Sequence, residues 1–187
     1  MRAGFIPSTS DCKAKRAGIL FHMSTGKIIA PGLRMTLGYA DKLVQTIPAE
    51  KFSHMPRADL NSPGFCIGHL ALYASTVAGM LGNKELGDAP AGYGELFNHG
   101  LPCVDRPGFY PSKDALVAEF TKGWMKVADI LPGVDEAVFA QANPMTQMAE
   151  KLPTVGAMVA FMCLAHNQMH LGQISAWRRV MDLGSAM

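Results

Sequence analysis

The chain has 187 residues, of which 49% are hydrophobic and only 17% charged, so it can fold around one substantial core. Its 17 Lys and Arg residues nearly balance 15 Asp and Glu residues, and the formal net charge of +2 favours neither nucleic acid nor a membrane surface as a partner. No apolar run reaches the roughly 18 residues of a membrane span, and four scattered cysteines without a CxxC pair indicate reduced thiols in a cytoplasmic protein.

The first 22 residues are basic, but their longest apolar stretch, AGILF, is too short for the hydrophobic region of a signal peptide. We expect residues 1–22 to be a flexible N-terminal leader or an artefact of an upstream start codon. Residues 23–187 are then expected to form a single domain.

Two segments with helical periodicity occupy the first half of the domain. In Ile28–Ile47, apolar residues recur at three- and four-residue steps, and Pro48 ends the pattern. The second segment is Pro63–Leu81, with Ser62 as its N-cap and proline at the first helical position. Both segments are predicted to be α-helices.

A long connection, Gly82–Pro111, follows the second helix, and loops of this length are often functional or mobile. The third predicted helix is Lys113–Leu131, a short helical turn follows near 135–140, and the fourth helix is Val155–Leu183. Because no segment alternates convincingly at period two, the fold is predicted to be all-α. Four helices of these lengths favour an antiparallel four-helix bundle, in which the long loop allows a crossover.

The fourth helix carries the sequence HNQMH. His166 and His170 are four residues apart, which puts both side chains on one helix face with Cβ atoms roughly 5–6 Å apart. Gln173 and Trp177 continue this face. Because polar groups on an inward face cost free energy unless they are satisfied, the pair is a candidate for metal ligation.

A third ligand would have to come from another helix, and His69 is the best candidate. It lies in the middle of an apolar helix, with Cys66 one turn before it and Tyr73 one turn after it. A hydrogen-bonded core histidine would explain His69 without a metal, and two histidines four apart also arise by chance in helices. The residues alone therefore leave a metal site and simple packing as alternatives.

Two known types of metal site are excluded. The zinc-protease signature H-E-x-x-H needs a glutamate as general base, and Asn167 follows the first histidine here. A diiron-carboxylate bundle needs Glu-x-x-His pairs, and no glutamate of this chain has a histidine three positions later.

Three stretches together resemble the DinB/YfiT-like family of metalloenzymes: FCIGHLALYAS, YPSKDALVAEF and PTVGAMVAFMCLAHNQMHLGQISAWRRVMDLG. The resemblance covers about residues 28–184. It implies a four-helix bundle with up-down-down-up topology and a divalent metal held by His69, His166 and His170. It also implies similarity to S-transferases and isomerases that use low-molecular-weight bacterial thiols, and it implies a homodimer.

Three neutral imidazoles leave the charge of a divalent ion uncompensated and leave coordination positions open, which is typical of catalytic sites. Imidazole suits zinc and nickel among other metals, and these two are expected here. We expect a metal-dependent enzyme that activates a low-molecular-weight thiol or water for attack on a small electrophilic substrate. The alternative is a non-catalytic metal-binding bundle with a structural, sensing or interaction role.

No catalytic residue is assigned from the sequence, but three side chains are candidates for contact with the site or the substrate. They are Gln173, Tyr73 and Cys66, and each has a simpler alternative as a packed amide, a packed ring and an inert buried thiol. Arg178 and Arg179 would either bind an anionic thiol or complement the helix dipole. The remaining histidines are predicted to be solvated: His22, His54 and His99.

Overall fold

The computed structural model describes residues 23–84 and 88–186. The leader predicted at residues 1–22 lies outside the described residues. Within the described ranges the regular structure is helical, and strand-like pairing is limited to one isolated antiparallel bridge between Ala142 and Thr154. The prediction of an all-α fold is therefore confirmed for the described part of the chain.

The helices are α1 (Thr25–Gln45), α2 (Pro63–Met80), α3 (Tyr93–Phe97), α4 (Lys113–Ile130), α5 (Glu136–Phe139), α6 (Val155–Ala160) and α7 (Asn167–Val180). A π-helical turn, Phe161–His166, connects α6 directly to α7. These three pieces form one continuous helix, called here the C-terminal helix. None of the described helices is long and apolar enough to cross a membrane.

Each of the four long helices has a side-chain cap at its N-terminus. Ser62, Ser112 and Thr154 each accept a hydrogen bond from the backbone N–H three residues later, as the sequence predicts. Ser24 caps α1 in the same way, so this helix begins at Thr25, three residues before its predicted start. The predicted helix starts are thus right wherever the cap was recognised.

The core combines the apolar stripe of α1 with two tryptophans from other helices. The stripe residues are all buried: Leu33, Leu37, Ala40, Leu43, Val44 and Ile47. Trp124 and Trp177 are fully buried, and Trp124 Nε1 donates a 2.9 Å hydrogen bond to the carbonyl oxygen of Leu70. Because a buried indole N–H needs a partner, this bond ties α4 to α2 within the core.

Two polar contacts connect α1 with α4. Arg34 of α1 pairs with Asp129 near the end of α4, with 2.6 Å between guanidinium nitrogen and carboxylate oxygen. Lys113, the first residue of α4, donates from Nζ to the carbonyl oxygen of Ile47, 2.7 Å away, just beyond the end of α1.

The C-terminal helix is bound to α1 by two further hydrogen bonds. Gln168 Nε2 donates to the Thr36 hydroxyl at 2.9 Å, and the Arg178 guanidinium donates to the carbonyl oxygen of Leu43 at 2.8 Å. Arg178 is only 3% exposed and also donates to the carbonyl oxygen of Leu183. It therefore binds backbone carbonyls in the last turn of α1 and just beyond the end of α7, whereas its neighbour Arg179 is exposed.

The long connection predicted between the second and third helices is not wholly irregular. It contains the short helix α3, whose Tyr93 and Phe97 are buried. Phe97 packs directly against Gly68 of α2. A five-residue helix whose packing partner lies 29 positions earlier leaves little periodic signal in the sequence.

Candidate metal centre

Three histidines from two helices converge near the middle of the C-terminal helix. His69 lies in the middle of α2, His166 is the last residue of the π-helical turn, and His170 lies in the first turn of α7. One ring nitrogen from each lies within 4.8 Å of the corresponding nitrogens of the other two. The structure thus brings together the three residues predicted as ligands and positions them to hold a metal ion.

One nitrogen–nitrogen separation within the trio has the dimensions of a coordination site. His69 Nε2 and His166 Nε2 are 3.2 Å apart. Two nitrogens bound to one tetrahedral zinc ion at about 2.0–2.1 Å would be about 3.3 Å apart. The observed separation therefore fits two ligands of a shared ion.

A backbone carbonyl fixes the protonation of His69. His69 Nδ1 lies 2.7 Å from the carbonyl oxygen of Phe97, which can only accept, so Nδ1 carries the hydrogen. In a neutral imidazole the other nitrogen is then unprotonated, and Nε2 presents its lone pair to His166. This is the tautomer that a metal ligand requires.

Two other nitrogens of the trio are buried without a partner. The Nδ1 atoms of His166 and His170 make no hydrogen bond among the described residues. An unsatisfied buried polar atom costs about 1–3 kcal/mol, so such atoms call for a physical explanation. An imidazole binds one ion through one nitrogen and His166 presents Nε2, so a cation among the rings would satisfy at most the Nδ1 of His170. The donor set fits a metal ion because one nitrogen from each of three neutral imidazoles lies within reach of the others.

All three imidazoles are held neutral. Burial lowers the pKa of His69, and burial together with the charge of the neighbouring imidazoles lowers the pKa of His166 from 6.5 to about 3. The same two causes lower the pKa of His170 to about 4, although the Gln173 side chain acts in the opposite direction. Neutral histidine is the form that binds metal, so the site needs no proton release near pH 7.

The family model of the DinB superfamily matches residues 33–174, which is more than half of the chain and includes all three histidines. The chain belongs to the DinB superfamily. Comparisons of this DinB protein with curated proteins and with solved structures found no match. The resemblance stated from the sequence is therefore confirmed at the level of the family.

Tyr73 lies beside the trio in the DinB protein, as its spacing from His69 predicts. Its ring is 5.0 Å from that of His69 and 5.7 Å from that of His166, edge-on in both cases. Its hydroxyl donates to Asn98 Oδ1 at 3.2 Å and accepts from the backbone N–H of His99 at 3.3 Å. Tyr73 therefore borders the site while its hydroxyl is bound to the segment after α3.

Cys66 does not join the three nitrogens. Its side chain is fully buried, and its thiol donates to Gln173 Oε1 at 3.4 Å. Burial raises the pKa of this thiol well above its usual value, so it stays protonated near neutral pH. This arrangement matches the simpler expectation of a buried inert thiol.

Gln173 links the site to the start of α2. Its Oε1 also accepts a hydrogen bond from Asn61 Nδ2 at 3.2 Å, and its side chain affects the pKa of His170. The structure thus places Gln173 beside His170 and in a hydrogen bond with Cys66, whereas its contact with a substrate stays a prediction.

Sequence reasoning missed two contributions to the site. The first is the segment Phe97–His99, which contacts both His69 and Tyr73 through hydrogen bonds. The second is the π-helical turn that ends at His166, a rare geometry that is frequent at functional sites. The only sequence signal for the segment Phe97–His99 was the length of the connection that contains it. No residue pattern predicted the π-helical turn.

Proposed function

We propose that this DinB protein is a metal-dependent enzyme that binds a divalent ion, zinc or nickel, through His69, His166 and His170. In this proposal the protein activates a low-molecular-weight thiol or water for attack on a small electrophilic substrate, as an S-transferase would. The observation that carries the proposal is the convergence of three neutral imidazoles within 4.8 Å.

The proposed scaffold is a four-helix bundle with up-down-down-up topology, built from α1, α2, α4 and the C-terminal helix. The contacts between α1 and the C-terminal helix advance in the same order along both helices. Between α1 and α4, later residues of one helix contact earlier residues of the other, and the same is true between α2 and the C-terminal helix. These two pairs are therefore antiparallel. These orders support a bundle in which the first and last helices share one direction.

The proposed chemistry follows from the ligand type. When bound, a divalent ion supplies a Lewis acid that lowers the pKa of a water or thiol toward neutrality. The three neutral imidazoles hold that charge without neutralising it, unlike carboxylate or thiolate ligands. The Tyr73 ring packs edge-on against two rings of the trio, and in this proposal it limits the access of water from that side.

Substrate class, assembly and location extend the proposal beyond the site. The resemblance to thiol-dependent S-transferases supports a small-molecule substrate and a thiol co-substrate, and the balanced charge argues against nucleic acid. We also propose a homodimer in the cytoplasm, on the strength of the family resemblance and of the reduced cysteines.

A second candidate is a non-catalytic metal-binding bundle with a structural, sensing or interaction role. The observation in its favour is the composition of the cluster, which contains histidines alone among the described residues. No carboxylate of this part of the chain joins it to act as a general base. The two candidates share the metal site and differ in whether a substrate reaches it.

Metal analysis tests the site that both candidates need. The wild-type protein, purified and loaded with zinc, should hold about one ion per chain, and His170→Ala should hold none. His54→Ala is the matched control, because His54 lies outside the trio with its side chain 45% exposed. Equal metal content in wild type and His170→Ala would contradict the three-histidine site.

Turnover separates the two candidates. The zinc- and nickel-loaded proteins are assayed with a panel of bacterial thiols and an electrophilic acceptor, and loss of thiol is followed over time. Metal-dependent consumption that His170→Ala abolishes would support the enzyme. Stoichiometric metal without turnover for any pair would favour the non-catalytic bundle.

A further inference from the structure

The hydrogen bond that sets the tautomer of His69 depends on a distant segment. Its acceptor is the carbonyl oxygen of Phe97, the last residue of α3, 28 positions along the chain. Because α3 has only five residues, it cannot be stable by itself. The position of Phe97 therefore depends on its packing against the rest of the protein.

Gly68 lies on α2, immediately before His69. A Cβ added at Gly68 would overlap the Phe97 ring, whose Cδ1 lies 2.7 Å from that point. The ring thus rests on bare backbone, at a distance that no larger residue allows.

The Phe97 ring has little room to retreat. It is fully buried and stacks on Tyr110 with 5.1 Å between ring centroids. Tyr93 contacts it edge-on at 5.2 Å, and Phe65 lies at 6.3 Å. Because interiors are close-packed, an added methyl group would move α3 and not the ring alone.

We propose that Gly68 is a positioning residue of the metal centre. By admitting the Phe97 ring against α2, it brings the Phe97 carbonyl to His69 Nδ1 and so leaves Nε2 free for the ion. This inference deepens the proposed function, since it rests on the same trio. It assigns to the glycine a role that acts entirely through Phe97 and His69.

Gly68→Ala tests the inference, with Gly79→Ala as the matched control on the same helix. A Cβ at Gly79 meets no atom within 4 Å. Loss of a hydrogen-bond partner of a metal-binding histidine typically weakens metal affinity about 10–100-fold. We expect that loss for Gly68→Ala and wild-type affinity for Gly79→Ala, measured by competition with a chromophoric zinc chelator.

The tautomer of His69 gives a second measurement, which would not change if Gly68 were needed only for folding. Long-range ¹H–¹⁵N spectra of the metal-free protein should show a protonated Nδ1 at His69 in the wild type and in Gly79→Ala. In Gly68→Ala this signature should be lost or mixed. Unchanged zinc affinity together with an unchanged tautomer in a folded Gly68→Ala protein would overturn the inference.

A second variant keeps the test decisive if Gly68→Ala does not fold. Phe97→Leu leaves Gly68 intact but removes the ring that rests on it, so it should weaken zinc binding and disturb the His69 tautomer. Phe120→Leu, a buried change on α4, is its control. Wild-type affinity and tautomer in Phe97→Leu would also overturn the inference.

Failure of the proposed function would look different. A wild-type protein that binds no zinc would contradict the metal site. The metal-free spectra of wild type and Gly68→Ala would still show whether Gly68 sets the His69 tautomer. A wild type that binds zinc, beside a Gly68→Ala variant that binds it equally well, would leave the metal site standing and remove the role of Gly68.

Discussion

His170→Ala should have opposite effects on stability with and without metal. In the metal-free protein, the substitution removes a half-buried ring whose Nδ1 has no partner among the described residues. Relief of that unpaired nitrogen is worth about 1–3 kcal/mol. The packing lost with a partly exposed ring is of similar size. The metal-free variant should therefore unfold within about 1 kcal/mol of wild type.

Zinc should stabilise the wild type more than it stabilises His170→Ala. Free zinc at one hundred times its dissociation constant stabilises a one-site protein by about 2.7 kcal/mol. For a chain of this length, each kcal/mol raises Tm by about 2–4 °C. The wild type should therefore gain about 5–10 °C on zinc addition, whereas His170→Ala, with one of its three ligands removed, should gain little.

Thermal unfolding in chelator and in excess zinc measures both effects on the same samples, with His54→Ala as control. Two results would refute the reasoning. One is a metal-free His170→Ala that unfolds more than about 3 kcal/mol below wild type, because the ring would then be structural. The other is an equal gain from zinc in both proteins.

Two further predictions concern buried thiols and close backbone contacts. Burial raises the pKa of Cys66 and raises that of Cys163 to about 12, so mass spectrometry after iodoacetamide treatment at pH 8 should find both unmodified in the folded protein and modified after denaturation. The thiols of the unfolded chain ionise first, near pH 8.5, because the folded protein keeps them protonated to higher pH. Their contribution to the free energy of unfolding is therefore complete below pH 8.5 and is lost as pH rises toward 12. Urea midpoints measured from pH 7 to 11 should fall with pH, and midpoints that rise with pH would contradict the prediction. Gly26→Ala places a Cβ against the carbonyl group of Leu131 and should cost more than about 2 kcal/mol in urea unfolding, whereas Gly38→Ala, in open space on the same helix, should be neutral or stabilise by up to about 1 kcal/mol. Equal urea midpoints for the two glycine variants would show that the contact does not constrain α1.

Local sequence signals predicted the long helices because their causes are local. Ser62, Ser112 and Thr154 cap helices through a bond to an N–H only three residues away, and the sequence shows both partners. The apolar stripe of α1 follows the helical period and becomes core. The unrecognised cap at Ser24 explains the one helix whose predicted start is wrong.

The histidine trio was predicted in part by local spacing and in part by the family resemblance. His166 and His170 share a helix face by geometry alone, whereas His69 comes from another helix and needs the fold to reach them. The hydrogen bond from His69 to Phe97 could not be predicted, since it depends on how a short helix packs on α2. The same holds for the π-helical turn, since its residues continue the helical pattern of the sequence without a break.

X-ray absorption spectroscopy of the zinc-loaded protein tests the central claim most directly, because it counts and identifies the ligands of the ion. The account predicts a first shell of nitrogen and oxygen at about 2.0–2.1 Å, with the outer-shell scattering of three imidazoles. A sulfur neighbour at about 2.3 Å would place a thiolate such as Cys66 on the metal and contradict an open three-histidine site. Fewer than three imidazoles would contradict it equally.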